Sequence, residues 1–461
     1  MEPKPMSAGL TGFLKGSSIA QRAFRSSAFT MAGFAGGQAM RLASNLILTR
    51  LLFPEAFGTM AMVSVFLMAL AMFSDVGVGP AIMQSKRGDD RAFLDTAWTI
   101  QIIRGLCLFV VAIGLTWPVA RYFGEPDLIH YLPVSALTLV IAGFNPTKLQ
   151  TANRHMRAGR VTMIELAVQA IGIVLAVALA VAFQSVWALV ASGVLSSLAH
   201  LILLNVFLPG PGNRLNWERA AAGELIHFGK WIFLSTICGF AIGQADKVII
   251  GGYLSTYDFG IYSIGFFLAS FPLMLGHVVT HRVLIPIYRE TPPRQSRENF
   301  LALRRMRMPA TAALIGLAVA LGLVGAWLVQ ILYDPRYEVA GGIVVLLAIM
   351  QIPALIVLTY DQAALASGES RRYFVLAATR AALIILGMGA GLWVGGLPGA
   401  LLGQGLGHLA AYPVVIWLAR TEGAWDPWHD ILFAIAAAVL GGIAIWLNWP
   451  HIVALAAMSG G

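Results

Sequence analysis

Apolar residues fall in runs long enough to cross a hydrocarbon core of ~30 Å, which takes about 20 residues of helix. These runs cover residues 27–49, 57–83, 97–122, 128–152, 161–183 and 186–208, then 225–250, 257–284, 308–333, 338–366, 373–396 and 399–419. Residues 431–447 offer a thirteenth, whereas 452–458 is too short to cross. The pattern predicts an all-α polytopic membrane protein with a C-terminal hydrophobic extension over 421–461.

Positive side chains mark the two faces, because connections rich in Lys and Arg stay in the cytoplasm. The N-terminus and alternate connections carry Lys15, Arg22, Lys86, Arg87, Arg91, Lys148, Arg154, Arg157, Arg160, Arg214, Arg289, Arg294, Arg297, Arg304, Arg305, Arg307, Arg371, Arg372 and Arg420, among others. The opposite face has Arg50, Arg121 and Arg336. The reading is a cytoplasmic N-terminal arm over 1–26, part of it (12–27) suited to lying along the membrane surface, and an inner (plasma) membrane location. Connections on the opposite face, such as Gln184-Ser185 and Leu397-Pro398, are very short. They leave no room for the external catalytic loop of a membrane glycosyltransferase or polymerase. Gly229-Lys230 is followed by Trp231, not by a magnesium-binding Ser or Thr, so no phosphate loop for an ATP-driven pump is present.

Composition agrees. Charged residues make up 11% of the 461, against about 25% in soluble domains. With 58% apolar residues and a mean hydropathy of +0.77, soluble and disordered classes are excluded. The net charge of +9 is accounted for by the cytoplasmic face and implies no nucleic-acid partner. Cys107 and Cys238, both inside apolar runs, form neither a disulfide framework nor a zinc module.

Self-comparison changes the picture most. Phe34-Ala35-Gly36-Gly37-Gln38-Ala39-Met40-Arg41 matches Phe240-Ala241-Ile242-Gly243-Gln244-Ala245-Asp246-Lys247, with five of eight positions identical and a cation kept at the eighth. Leu52–Gly58 (LFPEAFG) then matches Leu254–Gly260 (LSTYDFG), and Phe123-Gly124-Glu125-Pro126 matches Tyr333-Asp334-Pro335. The chain therefore reads as two six-helix lobes of like orientation, 27–208 and 225–420, joined by a cytoplasmic linker over 209–224. An axis along the membrane normal would relate them, with a central site between.

At these residues the sequence resembles the polysaccharide transport family, the oligosaccharide flippases of the multidrug/oligosaccharidyl-lipid/polysaccharide exporter superfamily. The carrying segments are Arg50–Gly58 (RLLFPEAFG), Asp75-Val76-Gly77-Val78-Gly79, Asp246–Gly251 (DKVIIG) and Phe259-Gly260-Ile261-Tyr262. The resemblance covers about residues 25–420. It implies translocation of undecaprenyl-pyrophosphate-linked oligosaccharide from the cytoplasmic to the periplasmic leaflet, by alternating access. It also implies a polysaccharide polymerase and a chain-length regulator as partners, and a capsule, lipopolysaccharide O-antigen or exopolysaccharide pathway.

Arg41 and Lys247 lie mid-span at matched positions. A membrane-embedded cation is costly unless it faces water or an anion, so the pair predicts a cationic cavity suited to a lipid pyrophosphate. Arg104 and Arg380 are further cavity candidates, each also able to snorkel. Asp75, Asp246 and Asp361 are candidate coupling carboxylates, with a helix-end cap as the plain alternative for Asp75. His277 and His281, four residues apart, lack the Glu of a metalloprotease helix and read as an interfacial pair. Lone His200 and His408 read as satisfied by carbonyls. No metal or cofactor is expected. Gly391, Gly395, Gly399, Gly403 and Gly407 signal close helix packing inside the fold, and Pro146, Pro272 and Pro353 predict bends in spans 4, 8 and 10. The alternative functions are a multidrug or cation antiporter of the same superfamily, which would favour carboxylates over these cations, and a membrane glycosyltransferase or polymerase.

Overall fold

The computed structural model describes residues 19–75, 77–155, 157–280, 284, 288, 290–367 and 370–458. The expected N-terminal arm lies outside these up to residue 18, and His281 also lies outside them. Every regular element among the described residues is helical. In chain order they are α1 (Ile19–Leu51), α2 (Pro54–Phe73), α3 (Val78–Gln84), α4 (Arg91–Phe123), α5 (Leu128–Gly143), α6 (Lys148–Arg154), α7 (Ala158–Phe183), α8 (Val186–Phe207) and α9 (Arg219–Gly251). There follow α10 (Thr256–Ala269), α11 (Phe271–Val279), α12 (Arg297–Leu332), α13 (Ala340–Met350), α14 (Ile352–Ser367), α15 (Ser370–Ala410), α16 (Tyr412–Thr421), α17 (Pro427–Leu447) and α18 (Trp449–Val453).

Among the described residues, each expected span falls largely on one or two of these helices. Seven are long and apolar enough to cross a membrane, and three bent pairs raise the number to ten. The bends are 59° between α5 and α6, 42° between α10 and α11, and 43° between α13 and α14. Pro146, Pro272 and Pro353 sit at these three breaks, each depriving its helix of a backbone donor. The spans expected at 373–396 and 399–419 share one long helical stretch, kinked at Gly395 and Gly396, where Gly396 has φ 59°. The turn precedes the expected Leu397-Pro398 because proline is at home in a helix's first turn. The span expected at 57–83 is interrupted: α2 stops at Phe73 and α3 restarts at Val78, after Gly77 at φ 63°. The thirteenth apolar run is the full-length helix α17.

By internal contacts the chain forms two compact units, each discontinuous in sequence. Unit 1 takes Met1–Leu48, Ser74–Leu115 and His130–Phe233, and unit 2 takes Thr49–Phe73, Thr116–Ile129 and Leu234–Gly461.

Within unit 1, α7 and α8 form a hairpin through the Gln184-Ser185 turn, where Ser185 caps α8 by accepting the Trp187 N–H. Val78, Ile82, Phe93, Ala97, Ala221 and Leu225 share one apolar core. The linker runs as an extended strap across the first turns of α4. Asn213 donates to Asp95 at 3.3 Å, and the backbone N–H groups of Arg214, Asn216 and Glu218 donate to Asp95, Thr99 and Thr96 at 3.0–3.1 Å. Hydroxyl and carboxylate side chains thereby satisfy backbone donors that no helix serves.

Within unit 2, α13 is buried almost throughout, packed on α12 and α10. The core joins Leu303, Leu314, Ile315, Leu355, Tyr360, Val415 and Leu418 with Phe433 and Ala444 of α17, so the C-terminal extension is part of the packed unit. A buried polar network runs through it. Arg307 donates to the Ala424 carbonyl (2.9 Å) and the Tyr288 hydroxyl (2.8 Å), with its guanidinium over the Tyr360 ring. Asp430 accepts from Tyr360 (2.8 Å) and Tyr412 (2.6 Å) and meets His429 Nδ1 at 2.8 Å. Arg307, expected among the cations of a cytoplasmic connection, is instead 1% exposed, its guanidinium received inside the bundle by the Ala424 carbonyl, the Tyr288 hydroxyl and the face of Tyr360.

Candidate functional site

The embedded ionisable residues fall into separate neighbourhoods. In unit 2, Asp246 and Lys247 follow one another on α9 and so project about 100° apart around the helix. Asp246 is buried, and one carboxylate oxygen accepts the hydroxyl proton of the equally buried Tyr262 on α10 at 2.8 Å. Lys247 donates to the side-chain oxygen of Gln244, one turn earlier, at 2.8 Å, and its ammonium lies 4.8 Å from the Phe266 ring centre. Among the described residues no ion pair involves Lys247. The amide and the aromatic face accommodate a cation without neutralising it.

Arg380 differs. Its guanidinium grips Asp361 of α14 in a two-pronged pair, at 2.6 and 2.9 Å, and both side chains are largely buried. Two residues expected in separate roles, one binding substrate and one coupling ions, thus neutralise each other.

In unit 1, Asp75 sits in the break between α2 and α3. Its Oδ1 accepts the Gly77 N–H at 2.9 Å, the capping arrangement that served as its plain alternative. Arg104 reaches this break from α4. It donates to the Ser74 hydroxyl at 3.0 Å and comes within 4.0 Å of Asp75. Arg41 lies on an exposed part of α1 and makes no hydrogen bond or ion pair with the described residues. Nearby on α1, Gly33 and Gly37 pack against Thr162 and Gln169 of α7.

Phe266 and Ser74 were not singled out from the sequence, and Gln244 and Tyr262 appeared there only within the repeat and the family segments, with no role at a site. A signal was available for the aromatic pair. Tyr262 and Phe266 are four residues apart on one helical face, and a tyrosine hydroxyl inside an apolar span needs a polar partner from another helix.

An inward-facing multidrug resistance MATE family transporter of the MOP superfamily matches with a TM-score of 0.63 at 16% identity, over 89% of this chain and 96% of that one. A MOP superfamily transporter from Pyrococcus furiosus Vc1, described as having a binding pocket of reverse polarity, matches with a TM-score of 0.59 at 18% identity, over 89% and 97%. The fold is therefore shared with these two transporters, and the chain is a multi-pass membrane protein. The family model described as "Polysaccharide biosynthesis protein" matches residues 47–341, and the chain belongs to that family, as the sequence resemblance implied. The succinoglycan biosynthesis transport protein ExoT of Rhizobium meliloti (strain 1021) is 27% identical over 52% of this chain and 49% of its own length. The teichuronic acid biosynthesis protein TuaB of Bacillus subtilis (strain 168) is 22% identical over 64% and 61%. The matched stretch thus spans about half to three fifths of these relatives.

Proposed function

We propose that the protein moves lipid-linked oligosaccharide, carried on undecaprenyl pyrophosphate, from the cytoplasmic to the periplasmic leaflet of the inner membrane. It does so by alternating access, in the synthesis of a surface polysaccharide, with its N-terminus in the cytoplasm. The observation that carries this reading is the state of Lys247, a cation embedded in a span whose neighbouring acid is engaged by Tyr262. Such a group favours an anionic cargo over the cations exported by a multidrug antiporter. Arg41 adds a second embedded cation at the matched position of the first repeat. Membership in a polysaccharide biosynthesis family, with a relative named as a succinoglycan transport protein, supports the cargo class.

The energetics need no nucleotide. A pyrophosphate diester carries two negative charges, and outward movement across an inside-negative potential of 100 mV releases ~2.3 kcal/mol per charge, hence roughly 4.6 kcal/mol. The test is the leaflet distribution of lipid-linked oligosaccharide in cells lacking the gene. Accumulation on the cytoplasmic face, relieved by wild type and not by Lys247→Ala or Arg41→Ala, is expected. Normal periplasmic delivery together with altered drug efflux would replace this reading with the antiporter.

A further inference from the structure

The repeat found in the sequence has a physical counterpart at one point of unit 2. Gly58 and Gly260 close the matched segments LFPEAFG and LSTYDFG, in the first turns of α2 and α10. A Cβ at Gly58 would lie 2.0 Å from the Thr256 carbonyl oxygen, and one at Gly260 would lie 1.9 Å from the Pro54 carbonyl oxygen. Pro54 and Thr256 are themselves matched positions. The two helices therefore cross backbone to backbone, with each glycine against the other repeat's first helical residue. No side chain other than hydrogen fits at either place.

Around this crossing lies a ring of further contacts between the two repeats. Thr256 donates its hydroxyl proton to Glu125, and Tyr122 donates to the Val248 carbonyl at 3.2 Å. The Phe57 and Tyr337 rings meet edge to face at 6.2 Å. Arg336 donates to the Thr49 carbonyl at 3.3 Å and lies over the Phe53 ring. Glu125 and the Asp334 that holds Arg336 occupy corresponding places in the two repeats, so the ring nearly repeats itself across the crossing. All of these residues lie at the helix ends opposite the basic connections. Arg336, Asp334 and Phe53 remain substantially exposed to solvent. Such a junction, flat glycine backbone ringed by polar contacts that are partly open to water, exchanges those hydrogen bonds for water when it parts.

We infer that the Gly58–Gly260 crossing is a releasable outer clasp, which must open for cargo to leave at this end, and that glycine at both positions lets it shut. The inference rests on the alternating-access reading above, and it names the contact that alternates. Bulk at either glycine holds the clasp apart and shifts the population towards the open state.

The test uses the full chain with Cys107 and Cys238 replaced by serine. In one arm, Phe57→Cys and Tyr337→Cys, in place of two rings that touch, are bridged by a bifunctional methanethiosulfonate reagent whose disulfides are reducible. Oligosaccharide delivery is expected to fall about tenfold or more and to return on reduction. In the other arm, Ala56→Cys, buried beside the crossing, reports through its rate of reaction with a membrane-impermeant maleimide added outside. Adding Gly58→Leu is expected to raise that rate about tenfold. Delivery unchanged by the cross-link overturns the clasp, as does unchanged labelling in a Gly58→Leu chain that elutes as wild type does. Gly260→Ala, a smaller intrusion on the matched side, replaces Gly58→Leu if the latter fails to fold. Labelling involves no cargo. If wild type delivers no oligosaccharide, the cargo assignment falls and labelling still decides the clasp.

Discussion

Two embedded cations in unit 2, Arg380 and Lys247, have opposite surroundings. Arg380 is held by both oxygens of Asp361, at 2.6 and 2.9 Å, with little of either side chain exposed. Lys247 has an acid as its immediate neighbour in sequence, yet that acid turns to Tyr262 and leaves the ammonium to Gln244 and Phe266. A charge in a span is therefore no measure of a charge available to cargo. The difference lies in helix geometry. Asp361 and Arg380 come from different helices that present facing sides, whereas consecutive residues on one helix diverge.

The largest expected effect breaks the closed pair. Asp361→Asn removes the two-pronged carboxylate from the largely buried Arg380 and should lower stability by about 3–5 kcal/mol, read as a drop in thermal midpoint in detergent. Adding Arg380→Gln should recover most of the loss, since the pair is then removed together. A single variant as stable as wild type would put Arg380 among the cations available to cargo and erase the contrast.

Next comes the open cation. Lys247→Ala should cut oligosaccharide delivery roughly 10- to 100-fold, the worth of a charge-assisted contact of about 1.5–3 kcal/mol. Folding and membrane insertion should stay intact, and Lys247→Arg should keep most of the delivery. A smaller effect is expected from Tyr262→Phe, which removes the hydroxyl donor of the buried Asp246 carboxylate. Delivery should fall roughly 2- to 10-fold, in line with one hydrogen bond of about 0.5–1.5 kcal/mol, as the carboxylate beside Lys247 loses its partner. Tyr262→Phe with unaltered delivery and Lys247→Ala without delivery would leave the lysine in place but remove the tyrosine from the argument.

Much of the fold was legible because bilayer thickness and backbone hydrogen bonding leave few choices for apolar runs of this length. Pro146, Pro272 and Pro353 marked the three bends, yet Pro118, Pro133 and Pro309 sit inside continuous helices. A missing donor permits a break, but packing from other helices decides whether the axis turns there. The glycine series was legible too. Gly391 and Gly399 bring the arms of α15 to backbone contact, as do Gly403 and Gly387, the last outside the motif. For the site, the repeat placed Arg41 and Lys247 at matched positions. Pairing was beyond reach, since Asp361 with Arg380 and Asp246 with Tyr262 join residues on different helices whose rotation about their axes no single sequence states. The interruption at Asp75–Gly77 was visible only as an alternative, because one left-handed glycine is a local decision of the backbone.

A third acid–base pair, out of the membrane, sharpens the contrast at its weak end. Asp334 accepts from Arg336 at 2.9 Å in the short connection after α12, with about a third of each side chain exposed. The Arg336 hydrogen bond, with help from the Arg336 backbone N–H, holds the Asp334 carboxyl below its ordinary value of 3.8. A carboxyl whose value is lowered by folding stabilises the folded state above its unfolded value. That contribution disappears as pH falls through the lower, folded value. Asp334→Asn should therefore cost a little thermal stability at neutral pH and nothing in strong acid, whereas the loss in Asp361→Asn is set by a buried cation that has lost its carboxylate. Water competes for every group of the exposed pair, so the neutral-pH cost should be the smallest of the series and should shrink with added salt. A loss at Asp334 matching that at Asp361, unmoved by salt, would show that solvent exposure does not separate these pairs, and the comparison with Lys247 would lose its basis.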